Sequence, residues 1–123
     1  MNKKEVINFV KEMNNVWAVQ NNPDGLKDYF HPRISQVMPS SSFRLTGREK
    51  IIKSFKDYLD LVRVKSYESS NFVVEIISDS FALCSYEYKI IQESDVDTTE
   101  HRGMDILTIN KLGEKWSVVN MTA

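Results

Sequence analysis

The hydrophobic pattern of this chain changes period once, near Lys65, and that change restricts the fold more than any other feature. Up to that point apolar residues recur at helical steps. Val6, Val10, Met13 and Trp17 lie four, three and four residues apart, with Phe9 and Val16 beside them, so about Lys3 to Gln20 reads as an amphipathic helix. Asn21-Asn22-Pro23-Asp24-Gly25 breaks it, and a short second helix follows with Leu26, Tyr29 and Phe30 on one side. His31-Pro32 ends that helix, because a residue before proline is pushed out of the helical region. Ile34 to Met38 reads as a short strand, Pro39 with Ser40-Ser41-Ser42 as a turn, and Phe43 to Thr46 as the returning strand. Gly47 leads into a third helix, about Arg48 to Leu61, whose apolar stripe is Ile51, Ile52, Phe55, Tyr58 and Leu59.

Beyond Lys65 the segments Phe72 to Ile77, Phe81 to Gln92, Thr99 to Lys111 and Lys115 to Met121 are rich in β-branched and aromatic residues. Ser78-Asp79-Ser80 and Leu112-Gly113-Glu114 are hairpin turns, and Glu93 to Thr98 is a longer polar loop. Helices first and a four-strand antiparallel meander last make an α+β pattern. A chain of 123 residues accommodates one domain, 1–123, with a core of its own.

Val73, Val74, Ile76 and Ile77 are apolar on both parities of a strand, as are Met104, Ile106, Leu107 and Ile109. A sheet with one wet face should alternate. Either one face covers the core while the other meets a second copy, giving a homodimer, or these are scattered exposed apolar residues.

The remaining composition narrows the partners. The balance of 16 basic against 17 acidic residues, without a dense basic stripe, argues against nucleic acid. Lys3-Lys4 is too short to hold a membrane surface, and no stretch approaches the ~20 apolar residues of a span. The N-terminal residues lack the apolar core of a signal peptide, so a soluble, cytoplasmic protein is the expectation. Cys84 is the only cysteine, which excludes an internal disulfide. With two histidines, one cysteine and no glycine-rich phosphate loop, neither a metal nor a cofactor is expected. Glu93, Asp95, Asp97 and Glu100 lack the glycine and ligand spacing of a calcium loop and read as a solvated hairpin tip.

Three landmarks carry a resemblance: Asp24-Gly25 followed by Leu26 and Tyr29-Phe30; Pro39 followed by Gly47 at the head of the third helix; and Gly103-Met104-Asp105-Ile106 followed by Gly113-Glu114-Lys115-Trp116-Ser117-Val118-Val119. In this order and spacing the whole chain resembles the nuclear transport factor 2-like superfamily. That group includes ketosteroid isomerases, SnoaL-type polyketide cyclases, scytalone dehydratase and limonene epoxide hydrolase. The resemblance implies a cone of three N-terminal helices against a curved antiparallel sheet, an apolar cavity for a small apolar molecule, and dimers through the outer sheet face. It also offers a test. The isomerases place a general-base aspartate before the proline of the first hairpin, where this chain has Met38. They place an oxyanion-donating tyrosine on the first helix, where this chain has Asn14, and a protonated aspartic acid on the third meander strand, matched by Asp105. A thioether cannot abstract a proton, so Met38 argues against isomerase chemistry by that route.

Asp105 is the first candidate for chemistry. Facing a cavity it would be desolvated, its pKa raised, and it would act as a hydrogen-bond donor or, ionised, as a base; facing Arg102 it would be a structural carboxylate. His101, four residues earlier on the same sheet face, is the second catalytic candidate, although in a straight strand the two Cα atoms stand ~13 Å apart. A rim histidine beside the polar loop is its plainer reading. Asn14, Trp17, Met38, Phe55, Tyr58, Tyr86 and Tyr88 are the candidate ligand-binding residues, with core packing as the alternative for the aromatics. His31 is expected to cap a helix end, and Cys84 to be a small buried apolar residue. Two functions stay open: a binding module with an apolar pocket, or a dehydratase, cyclase or hydrolase working on a small hydrophobic substrate through Asp105 with a pocket His, Tyr or Asn.

Overall fold

The computed structural model describes residues 1–122, for Ser40 the backbone alone. The first helix, α1 (Lys3–Asn14), begins at a reciprocal cap. The Asn2 side chain accepts from the Glu5 amide at 2.9 Å and the Glu5 carboxylate accepts from the Asn2 amide at 3.1 Å, which satisfies two otherwise free donors. The helix does not stop at Asn14 but widens into a π-turn, Asn15–Val19. Such wide turns are uncommon and recur at functional sites.

Pro23–Asp28 forms a 3-10 segment rather than an α-helix. The chain then enters strand β1 (Phe30–Met38), pairs back through β2 (Phe43–Thr46), and forms α2 (Arg48–Leu61). The rest is strand: β3 (Arg63–Ser78), β4 (Phe81–Glu93), β5 (Thr98–Leu112) and β6 (Lys115–Thr122). They make one six-stranded sheet in the order β2-β1-β6-β5-β4-β3. Gly113 supplies the positive φ of 61° that the tight β5–β6 turn needs.

Five expectations need correction. The second helix is a 3-10 turn, and Phe30 belongs to β1, which starts four residues before the expected Ile34. His31 is therefore a strand residue; its Nδ1 accepts from the Arg33 amide at 3.0 Å instead of capping a helix. The sheet is not wholly antiparallel, because β1 runs parallel to β6. Finally, β3 begins at Arg63, not Phe72.

Strand alternation sorts the apolar residues into two sets. Val74, Cys84, Tyr86, Leu107, Ile109 and Met121 turn inward and are buried against Val6, Val10, Met13 and Trp17 from α1 and its π-turn. Val73, Ile77, Leu83, Met104 and Ile106 have the opposite parity or lie beside a bulge, and they are exposed. The double-sided apolar pattern is thus divided between a core face and an open face.

Candidate functional site

A cavity of ≈ 220 Å³ lies between the inner sheet face and the helical layer. Trp17 from the π-turn, Phe55 from α2, Tyr67 from β3 and Tyr88 from β4 form its aromatic walls. Met38, Ile90 and Met121 add apolar wall, and Gln36 and Asp105 bring the polar atoms besides the two tyrosine hydroxyls. The aromatic walls brace one another. Trp17 meets Phe55 and Tyr67 edge-on at 4.9 and 5.7 Å between centroids, and Tyr67 stacks on Tyr88 at 6.1 Å. Gly103, opposite Tyr88 in the β4–β5 ladder, makes this possible, since a Cβ there would collide with the Tyr88 ring and hydroxyl. A larger groove of ≈ 590 Å³ beside α2 is lined mostly by exposed charges of both signs, among them the Lys53–Asp57 and Lys56–Asp24 pairs, and has little to select a ligand.

Asp105 ends a chain of hydrogen bonds that starts in the helical layer. Trp17 Nε1 donates to Asn14 Oδ1 at 2.9 Å, Asn14 Nδ2 donates to the Tyr86 hydroxyl at 3.1 Å, and that hydroxyl donates to Asp105 Oδ2 at 2.8 Å. Asn14 and Tyr86 are 3% and 1% exposed, so their polar atoms have these partners in place of water. Helix position explains the first link: Asn14 and Trp17 are three residues apart and face the same way. Sheet register explains the last, because Tyr86 and Asp105 are direct cross-strand partners.

Two effects oppose each other at the Asp105 carboxyl. Burial disfavours its charge and is the larger, while the Tyr86 hydrogen bond favours it; the result is a pKa pushed up to about 6. At neutral pH the group is still mostly an anion and accepts. Tyr86 and Tyr67 are held neutral well above pH 7 by burial first and by the nearby Asp105 charge second. Tyr88 is raised for the same reasons in the same order. The Arg102 guanidinium, the structural alternative, pairs with Glu100 at 2.9 Å on the exposed side.

Gln36 is the opposite case. It is 6% exposed, it lines the cavity, and its Oε1 has no hydrogen-bond partner among the described residues. A buried acceptor left in that state costs about 1–3 kcal/mol. Its place is set by register: Gln36 pairs with Met121 of β6, which pairs with Leu107 of β5. Gln36 and Asp105 therefore share one sheet face, two strands apart.

Of the residues singled out from sequence, Trp17, Met38, Phe55, Tyr88 and Asp105 line the cavity. Asn14 and Tyr86 stand one hydrogen bond behind it. Tyr58 and His101 do not line it: Tyr58 donates to Gln92, and His101, exposed, lies with Nε2 3.2 Å from the Tyr88 hydroxyl. Asp105 and His101 are thus linked through Tyr88 at most. Sequence reasoning missed Gln36, Tyr67, Ile90 and Met121. Gln36 shares parity with Met38 two residues on, which was the available signal. Cys84 is buried with its thiol pushed up to about 11 by desolvation, as suits an inert packing residue. Among the described residues no group of three His, Cys, Asp or Glu side chains gathers to hold a metal, and no helix is long and apolar enough to cross a membrane.

No family model matches the chain, and no curated protein matches it in sequence. Solved structures do match over nearly its full length. A nuclear transport factor 2-like protein from Cytophaga hutchinsonii is 17% identical, with 99% of this chain and 97% of that one aligned at a TM-score of 0.78. A proposed scytalone dehydratase from Novosphingobium aromaticivorans is 18% identical over 95% of this chain and 78% of its own, at 0.82. The beta subunit of benzoate 1,2-dioxygenase from Burkholderia mallei is 12% identical over 99% and 89%, at 0.81. At such identities the likeness speaks for architecture alone, and what it establishes is that this chain has the nuclear transport factor 2-like fold.

Proposed function

We propose that the chain is a one-domain binding protein that holds one small, largely apolar molecule between its helices and a sheet curved around them in a cone. The observation that carries this reading is the cavity itself: a void of ≈ 220 Å³, walled by aromatic and thioether side chains, with a few polar atoms converging on it. An engineered apolar cavity of about 150 Å³ holds benzene, so a one-ring ligand fits the available space. The exposed apolar residues Val73, Ile77, Leu83, Met104 and Ile106 on the outer sheet face, interspersed with Glu75, Ser85 and Glu87, support a homodimer formed through the sheet. A cytoplasmic location, with neither nucleic acid nor membrane as partner, belongs to the same proposal, and the balance of 16 basic against 17 acidic residues supports its nucleic-acid part.

Acid–base catalysis on a small hydrophobic substrate is the second reading. It is favoured by Asp105, whose pKa of about 6 would let it exchange a proton near neutral pH.

Filling the cavity tests the first reading. NMR titration with n-propylbenzene should shift signals of Trp17 and Ile90, and Met38→Trp should abolish the effect while the variant stays folded. Equal binding by the variant would move the site elsewhere and end this reading. Sedimentation should give a dimer at micromolar concentration; a monomer there would remove the assembly part alone.

A further inference from the structure

We propose that the ligand of this cavity is an organic cation, a protonated amine on a one-ring apolar body, whose N–H donors are shared between the Asp105 carboxylate and Gln36 Oε1. The inference rests on the small-ligand reading above and names its chemical class.

Three observations point the same way. First, two acceptors belong to residues of the cavity wall, the Asp105 carboxylate and Gln36 Oε1. Asp105 already receives its proton donor from Tyr86, and Gln36 Oε1 has no donor among the described residues. A ligand that offers only acceptors would leave Gln36 Oε1 without a donor and Asp105 without a counter-charge, whereas an ammonium group has three donors and no acceptor. Second, the wall carries one acidic group and no Lys, Arg or His. An anionic ligand would be repelled there, and in a water-poor site an unopposed charge attracts a counter-charge strongly. Third, Trp17, Phe55, Tyr67 and Tyr88 surround the space, and aromatic rings attract organic cations more than aliphatic walls do.

A proton link follows. The groups that share the cavity or the hydrogen-bond series with Asp105 are Tyr86 and Tyr88 of β4, Tyr67 of β3, Asn14 and Trp17 of the helical layer, and Gln36 of β1. All of these are neutral from pH 5 to 8, and the His101 imidazole stands behind the Tyr88 hydroxyl. The carboxylate form binds the cation. The competent fraction falls as pH drops through about 6, so affinity should weaken about tenfold between pH 7.5 and pH 5.

The test compares 2-phenylethylammonium with n-propylbenzene, which replaces the ammonium by a methyl group, in NMR titrations of the full chain. The amine should bind at least ten times more tightly at pH 7.5. Asp105→Asn should erase that preference, and Gln36→Leu should weaken the amine about threefold or more. Binding of n-propylbenzene as tight as the amine overturns the inference and leaves the cavity reading standing. An amine affinity that ignores either substitution, or that is flat from pH 7.5 to pH 5, also overturns it. If neither probe binds, the cavity reading falls with it.

Discussion

Asp105 and Gln36 reach the same cavity from strands on either side of β6, yet the protein supports them in opposite ways. Behind Asp105 stands a fixed series, Trp17 to Asn14 to Tyr86, in which every donor is aimed toward the carboxylate. Behind Gln36 there is no such series, and its buried Oε1 lacks a partner among the described residues. A satisfied network fixes geometry, while an unsatisfied acceptor holds free energy that a donor from outside can release. The contrast separates a pre-organised half of the cavity from a half whose buried acceptor is unmet.

The strongest way to break that contrast is to cut the series in the middle. Asn14→Leu removes the acceptor of the Trp17 N–H and the donor to Tyr86 together, in a place without water. We expect a loss of about 3 kcal/mol in chemical denaturation, since each stranded buried group costs about 1–3 kcal/mol. A loss below about 1 kcal/mol would mean that the series does not order this half.

Asp105→Asn should act in the other direction. The folded-state pKa of about 6 lies above the ~3.9 of a free aspartate, so the native state holds the proton more tightly. The stability penalty of Asp105 is therefore absent below about pH 4, grows between pH 4 and 6, and is complete above 6. Asparagine keeps an acceptor for the Tyr86 hydroxyl and does not titrate. The variant should be more stable than wild type by up to about 3 kcal/mol at pH 7.5, with the gain vanishing at pH 4. Denaturation curves at the two pH values check the sign, and a variant less stable at pH 7.5 would mean that a cation in the free protein pairs with Asp105.

Much of this arrangement could be read from sequence, and the exceptions have identifiable causes. The limits expected for α2 coincide with those observed because its apolar stripe and the preceding Gly47 mark them. The start of β1 was hidden by Pro32, which normally argues against a strand. Here Pro32 lies in the irregular stretch between the Phe30 and Ser35 pairings with β6, where a missing N–H breaks no regular ladder. The first half of β3 was hidden by polarity. Lys65, Ser66, Glu68 and Ser70 sit on an edge strand that faces water, and edge strands carry such residues without losing pairing. Tyr67 was lost to view with that half-strand. Asp105 and Asn14 were recognisable because a polar residue among apolar ones announces a buried interaction. Their junction through Tyr86 was not, as it depends on the β4–β5 register.

Gln36 offers the smallest effect and the sharper view of the other half. In the free protein its Oε1 is buried without compensation, so Gln36→Leu replaces an unsatisfied amide by an apolar group of similar length among Met38, Ile90 and Met121. Removing an unmet buried acceptor should raise stability, by about 1 kcal/mol, in contrast to the loss that an ordinary buried hydrogen-bonding residue shows. The gain should be independent of pH between 5 and 8, because the amide does not titrate, and this distinguishes it from Asp105→Asn. The two substitutions touch one cavity from separate strands without a shared hydrogen bond, so their effects at pH 7.5 should add within about 0.5 kcal/mol. Denaturation of the two single variants and the double variant measures this. A destabilised Gln36→Leu would show that Gln36 is satisfied in the free protein and that the two halves of the cavity do not differ in kind.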